Sequence, residues 1–275
     1  MINNKSKREH PLKSMRYNAY MLDWLAYMSD QNVEGFLLLF LRLSGVIALF
    51  PFFDNNLIPV SIRGALSFFL TLVFYPTLPH PPLYTTAETF LIACCAEFFL
   101  GLCASFFLQV VFHAIAFATD TISFSMGLTM ASAYDPISGA QKAIVGQVVL
   151  LLAILIMLQT SMHHLIILWV QHSLEKIPLG GFVFTSHIAQ ASMQALGHLF
   201  MVGFSMAFPI LAIIMFGDIV FGMIMKTHPQ FNLLAIGFPL KIAIALLGLI
   251  LIMASIMHRF KEQLLQAFHV LTTLF

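Results

Sequence analysis

Apolar positions dominate this chain in long unbroken blocks, with polar residues gathered between them. Six blocks can be marked, at 33–53, 62–79, 88–119, 143–174, 196–225 and 233–257. A helix needs about 20 apolar residues to cross the ~30 Å hydrocarbon core of a bilayer. The block from Ala143 to Leu174 has no acidic or basic side chain, and as one straight helix it would reach about 48 Å. The block at 88–119 is equally long. The pattern predicts an all-α polytopic membrane protein with about six long hydrophobic helical segments. They are expected to form helical hairpins, some extending beyond the bilayer. Pro51, Pro59, Pro76, Pro209 and Pro239 lie in or beside these blocks and should kink or end helices there.

Composition agrees with this class and removes others. The chain is 60% hydrophobic and 9% charged, where soluble domains carry about 25% charged residues, so lipid or other membrane proteins must cover its surface. A net charge of +1 offers no basic face for nucleic acid. Cys94, Cys95 and Cys103 share one apolar block without a CxxC pair, and read as small buried hydrophobes. Residues 1–29 form a basic, amphipathic extension. Tyr17–Asp30 is too polar for a signal-peptide core, and Tyr17, Tyr20, Trp24 and Tyr27 recur at helical spacing, as on a helix in the headgroup layer. The helical domain is expected over 30–265, with a tail at 266–275. Six crossings would put both termini on one side. Lys5, Lys7, Arg8, Lys13, Arg16, Lys176, Arg259 and Lys261 would then lie in the cytoplasm, against Arg63, Lys142 and Lys226 outside.

An ionisable group at bilayer depth is costly and usually faces protein or water. Glu97 can bind a cation, relay protons, or pair with Arg42 or Arg63; a structural ion pair is the favoured reading. Arg42, Lys241 and Asp218 lie close enough to block ends to snorkel. His163, His164 and His172 raise a metal site, but no acidic or Cys partner accompanies them, and adjacent His163 and His164 should point apart on a helix. No nucleotide loop, HExxH or GxSxG motif occurs, so neither an enzyme nor a cofactor is expected. Gly101/Ser105, Ala114/Ala118 and Gly203/Ala207 are small pairs four apart, suited to close helix contact. Phe99, Phe106, Phe117 and Phe124 fall within about 20° of one line on an ideal helix. Between the two longest blocks, Asp135-Pro136 marks a turn and Gly127 and Gly139 are flexible points.

The order of punctuating residues resembles the FliR family of flagellar export-gate proteins. The pattern runs through Arg42, Pro51, Pro59, Arg63 and Pro76, then Glu97 and Gly101, Gly127-Leu128, Asp135-Pro136, His164 and Ile-Pro-Leu-Gly-Gly at 177–181. Its most specific part is 228–241, which carries Pro229, Gln230, Asn232, Gly237, Pro239 and Lys241 and looks like the family's Pro-Gln-x-Asn-x-x-x-x-Gly-x-Pro-x-Lys signature. His228 stands where the family more often has a small residue. The resemblance covers about 30–265. It implies a type III protein-export subunit in the bacterial inner membrane, within the flagellar basal body. There it would assemble with the P and Q gate proteins, and with the B-type gate protein, into a pore for unfolded flagellar substrates. Arg42, Arg63, Glu97, Gly101 and the 228–241 signature residues would serve structure and assembly. The loop at about Ser123–Ile144 would be the pore plug, with Phe124, Met126, Gly127, Met130, Asp135 and Pro136 as its gate residues. Energy would come from the proton motive force and an ATPase partner. The rival readings are an injectisome export-gate subunit, a secondary transporter with a midplane site at Glu97, and a scaffold without a pore. A transporter would carry paired broken helices in both halves, a pattern this sequence lacks.

Overall fold

The computed structural model describes residues 30–53, 58–78, 84, 86–128, 144–228 and 236–274. Seven α-helices occupy them: α1 (Asp30–Ala48), α2 (Val60–Phe74), α3 (Ala87–Met126), α4 (Ile144–Gln159), α5 (Met162–Lys176), α6 (Ser186–Thr227) and α7 (Phe238–Leu274). The all-α membrane class holds. Three of them, α3, α6 and α7, are individually long and apolar enough to cross a bilayer, and α4 with α5 makes a fourth candidate bent by 58°. Among the described residues, length and apolarity thus support three spans, or up to four with the bent pair, and do not confirm the expected count of about six.

Local chemistry sets the helix ends. α2 follows Pro59, whose carbonyl accepts from the Ile62 and Arg63 amides, and whose ring fixes φ near the helical value. α3 starts after extended Thr86, with Glu88 in its first turn beside the positive helix end. It stops at Gly127, which has φ +84° and donates its amide to the Phe124 and Ser123 carbonyls. A side chain at that left-handed position would be strained, so the glycine makes the stop. α6 passes through Pro209 without ending; the proline has no N–H to return to the Ser205 carbonyl.

The uncharged block at 143–174 is not the straight helix expected. It breaks at Thr160-Ser161, where Ser161 takes φ +55°. The sequence Gln159-Thr160-Ser161 supplies the cause. The Thr160 hydroxyl hydrogen-bonds the Ile156 carbonyl at 2.9 Å and the Met157 carbonyl at 3.1 Å, offering the backbone an alternative to the next turn. Beyond the break the His163 and His164 rings sit 4.1 Å apart, tilted by 43°, rather than pointing away from each other.

Side-chain contacts fix the direction of each helix. α1 and α3 run parallel, with Arg42 on Glu97 and the Ser105 hydroxyl donating to the Val46 carbonyl. α2 returns antiparallel to α1, where Phe36 meets Phe68 and Tyr75 edge to face and the Tyr75 hydroxyl donates to the Asn32 carbonyl at 2.8 Å. α4 begins beside Thr119 and Asp120 at the far end of α3, and α5 ends beside Arg42 through Ser173. The pair thus folds back along the length of α3. α6 lies against α3, with Gly203 on Ala114 and Phe200 on Phe117. It runs parallel to α3, because α7 is antiparallel to both: Phe238 and Phe260 meet Gly127 and Phe112 of α3, and Lys241 and Gln263 meet Asp218 and His198 of α6. α7 returns along α6, with Lys241 on Asp218 and Arg259 on Ser205. The arrangement is three helical hairpins: α1/α2, α3/(α4–α5) and α6/α7.

α3 is the central element. It packs on α1, α6, α7 and α4, and its buried residues run from Ala93 to Met126. The small pairs read from sequence lie at its crossings. A methyl group on Gly101 would meet the Val46 amide nitrogen at 2.8 Å, and one on Gly203 would meet the Ala114 carbonyl oxygen at 2.6 Å. Both crossings therefore need glycine for the backbones to touch. α7 continues through residues 266–274 without a break, so that stretch is the end of a helix rather than a separate tail.

Candidate functional site

A buried charged junction ties α1, α3 and the end of α5 together. Arg42 and Glu97 are both 0% exposed. Arg42 Nε donates to Glu97 Oε2 at 2.5 Å and Nη2 donates to Oε1 at 3.0 Å. This is the two-pronged geometry that a planar guanidinium and a carboxylate favour. Two further donations satisfy the guanidinium, from Nη1 to the Ser173 hydroxyl at 3.2 Å and from Nη2 to the Ile177 carbonyl at 3.1 Å. The Gly180 amide donates to Glu97 Oε1 at 2.7 Å. Such a pair withstands burial only when its remaining donors and acceptors are satisfied, and the Ile-Pro-Leu-Gly-Gly run does that here.

Gly180 has φ +77°, and a methyl group there would overlap the Tyr84 hydroxyl. Both its backbone conformation and its space demand glycine. Burial pushes the Tyr84 phenol up from its ordinary pKa, and the Glu97 charge adds to that, so the ring enters the junction as a neutral hydroxyl. The Tyr84 amide also donates to Glu34 of α1 at 3.4 Å.

The structure resolves the alternatives at the other charged positions. Glu97 pairs with Arg42 and not with Arg63, whose Nε donates to the Ile58 carbonyl at 3.3 Å. Arg42 is buried rather than snorkelling. Lys241 and Asp218 do not reach separately for the surface: Lys241 Nζ lies 2.8 Å from Asp218 Oδ1, linking α6 to α7. Gln in place of Lys241 is expected to lower stability by no more than about 1 kcal/mol, because Asp218 is half-exposed and stays solvated. Thermal unfolding of the single variant against Asp218→Asn with Lys241→Gln checks this; the double variant should regain most of the loss.

Sequence reasoning missed Ser173, the Ile177 carbonyl, the Gly180 amide and Tyr84 as partners around Glu97 and Arg42. The doubled glycine after α5 was their one sequence signal. Cys95 is exposed while Cys94 and Cys103 are buried, so the reading of all three as buried holds for two. Among the described residues no group of three or more His, Cys, Asp or Glu is placed to hold a metal ion.

The expected gate residues separate. Ser123–Met126 belong to the last turn of α3 rather than to a loop. Met126 is fully buried in the core, whereas Phe124 is 74% exposed. Gly127 closes the helix, and a methyl group on it would meet the Phe238 ring at 3.1 Å, which brings the start of α7 against the end of α3. Met130, Asp135 and Pro136 lie outside the described residues, as do Pro229, Gln230 and Asn232 and the aromatic positions of the N-terminal extension. Gly237 is buried in a wide helical turn that leads into α7, and Pro239 is exposed in its first turn, where a proline costs no hydrogen bond.

Comparison with known proteins places the chain in a family. The chain is 30% identical over 229 residues to the flagellar biosynthetic protein FliR of Bacillus subtilis (strain 168), an overlap of 81% of this chain and 87% of that protein. It is 27% identical over 223 residues to FliR of Pectobacterium carotovorum subsp. carotovorum, covering 80% and 85%. For FliR of Escherichia coli (strain K12) the identity is 23% over 206 residues, covering 75% and 79%. The match to the family described as bacterial export proteins, family 1, runs from residue 33 to residue 267, and this chain belongs to that family.

Proposed function

We propose that this chain is a subunit of the flagellar protein-export apparatus in the bacterial inner membrane. It assembles with the P and Q gate proteins, and with the B-type gate protein, into a pore for unfolded substrates. The observation that carries the reading is the match over residues 33–267; the relatives named above are flagellar proteins, which favours this system over an injectisome. The hairpin architecture supports it. α3 spans 40 residues, about 60 Å, twice the thickness of a hydrocarbon core, so the long hairpins stand well clear of the bilayer.

The plug in this reading is the connection from the end of α3 to the start of α4. Phe124 enters it as the last exposed aromatic of α3, while Met126 anchors its root in the core. Bulky apolar side chains close a constriction by dewetting, and thioethers adapt to passing chains of varied shape. An ordinary surface loop would tolerate shortening. Deleting about half of the connection after Gly127 is expected to leave assembly with the gate proteins intact while membranes become leaky to ions, read as conductance. A shortened loop that assembles and stays tight to ions removes the plug.

A further inference from the structure

α6 and α7 share a band of bare hydrocarbon closed by a polar contact at each end. Lys241 lies on Asp218 at one end and Arg259 on Ser205 at the other. Between those contacts α7 carries no ionisable side chain from Ile242 to Met257, and α6 none from Met206 to Gly217. Phe208, Met215, Phe216, Leu247, Ile250 and Leu251 are exposed there. Lys241 and Arg259 stand about 27 Å apart along α7, close to the ~30 Å of a hydrocarbon core. α7 is one of the helices able to span, and past Met257 its sequence turns to His258, Arg259, Lys261, Glu262 and Gln263. That change of character puts Arg259 at headgroup level.

A cleft of about 260 Å³ opens there between the two helices. Val202 and Met206 line it with hydrocarbon, and Ser205, Arg259, Glu262 and Gln263 with polar groups. The two charges on its wall do not neutralise each other. Among the described residues Arg259 has one hydrogen-bond partner, the Ser205 hydroxyl, 2.8 Å from Nη1. Its other N–H groups have none, although Glu262 is only one helical turn away. The Glu262 carboxylate lies instead 3.3 Å from His258 Nε2. Pro209 takes the helical donor from the carbonyl of Ser205, on the facing wall. The cleft thus offers a cation with free donors, and a carboxylate and a carbonyl as acceptors.

We propose that the cleft between α6 and α7 binds the headgroup of a phospholipid that carries a primary ammonium, a phosphoethanolamine. The phosphate accepts from the free guanidinium N–H groups of Arg259, a pairing that a planar fork of donors favours. The ammonium donates to Glu262 and to the Ser205 carbonyl, and the acyl chains run along the exposed apolar band. Both charges of the ligand then meet their opposites. A free phosphate would leave Glu262 facing an anion, so the pair of charges selects a zwitterion. The assignment stands on the α6/α7 geometry and not on the export reading.

Native mass spectrometry of the full chain tests it, with the protein released from micelles doped with one lipid at a time, all with the same acyl chains. Phosphatidylethanolamine should be retained about fivefold or more over phosphatidylcholine, whose nitrogen has no N–H, and over phosphatidylglycerol, which has no cation for Glu262. Arg259→Gln should lower its retention by a similar factor, whereas Lys261→Gln, exposed and outside the cleft, should not. Glu262→Gln should erase the preference over phosphatidylcholine. If Arg259→Gln unfolds, Ser205→Ala, which frees the guanidinium from its one anchor, carries the comparison and should also lower retention. Full retention in the Arg259 variant, or in Ser205→Ala where that variant stands in, overturns the site, and equal retention of the three lipids overturns the headgroup. Displacement of the lipid by inorganic phosphate makes this a free-anion site and overturns the proposal too. So does a chain that holds the lipid alone and loses it in its native complex, because protein then fills the cleft.

Discussion

Glu97→Gln should remove most assembled complex while leaving normal export through whatever complexes still form. The substitution keeps an oxygen for the Gly180 amide but takes the negative charge from a guanidinium with no access to solvent. Breaking a buried pair by neutralising one partner costs about 3–5 kcal/mol, because the other charge stays behind unpaired. Retained shape puts Glu97→Gln at the lower end, about 3 kcal/mol, enough to lower the folded population of a protein of ordinary stability severely. Replacing both residues by Met should recover much of the loss, since a packed apolar pair of similar volume often matches a buried ion pair. Complex yield and thermal unfolding read the first effect; secretion per assembled complex reads the second. Normal assembly with abolished export would make Glu97 a proton relay instead of a structural partner.

The junction illustrates which interactions a one-dimensional pattern can reveal. Two opposite charges standing in apolar blocks narrow the options for each other, so Arg42 and Glu97 could be read as candidate partners 55 positions apart. The remaining members, Ser173 and the backbone of Ile177 and Gly180, are ordinary until α4–α5 folds back along α3. Only Gly180 left a trace, because its left-handed backbone requires glycine. Lys241 and Asp218 went unread for a related reason. Each sits near a block end where snorkelling explains it adequately, and only the α6/α7 hairpin brings them together. The break in 143–174 escaped because hydropathy is insensitive to it: neither Pro nor Gly marks the site, and the signal is a short polar triplet whose hydroxyls compete for backbone carbonyls. Hairpin order was legible because block lengths and turn residues are local properties. Phe124 and Met126 look equivalent in sequence, yet two positions apart on a helix they point to different surroundings, solvent and core.

Gly101→Ala is expected to be as damaging as the loss of the ion pair, through packing alone. The new methyl group would collide with the Arg42 carbonyl and lie 2.8 Å from the Val46 nitrogen and 2.9 Å from the Gly45 Cα. Every one of these is backbone of α1, so no side-chain rotation relieves the overlap and the helix itself must move. Overpacking usually costs about 1–3 kcal/mol, and a helix displacement puts this case at the upper end or beyond. Displacing α1 also lengthens the Arg42–Glu97 contacts and the Ser105 hydrogen bond to Val46, which lie on the same crossing. Gly45→Ala, which meets Gly101 Cα and the Leu102 nitrogen at 3.0 Å, should reproduce the defect from the other helix. Gly64→Ala and Gly197→Ala, with open space around the new methyl, should be neutral or stabilise by about 0.5–1 kcal/mol through helix propensity. Thermal unfolding of the four purified variants separates the two pairs. A Gly101→Ala protein as stable as Gly64→Ala would show that α1 and α3 do not meet backbone to backbone, and the buried junction built on that crossing would have to be redrawn.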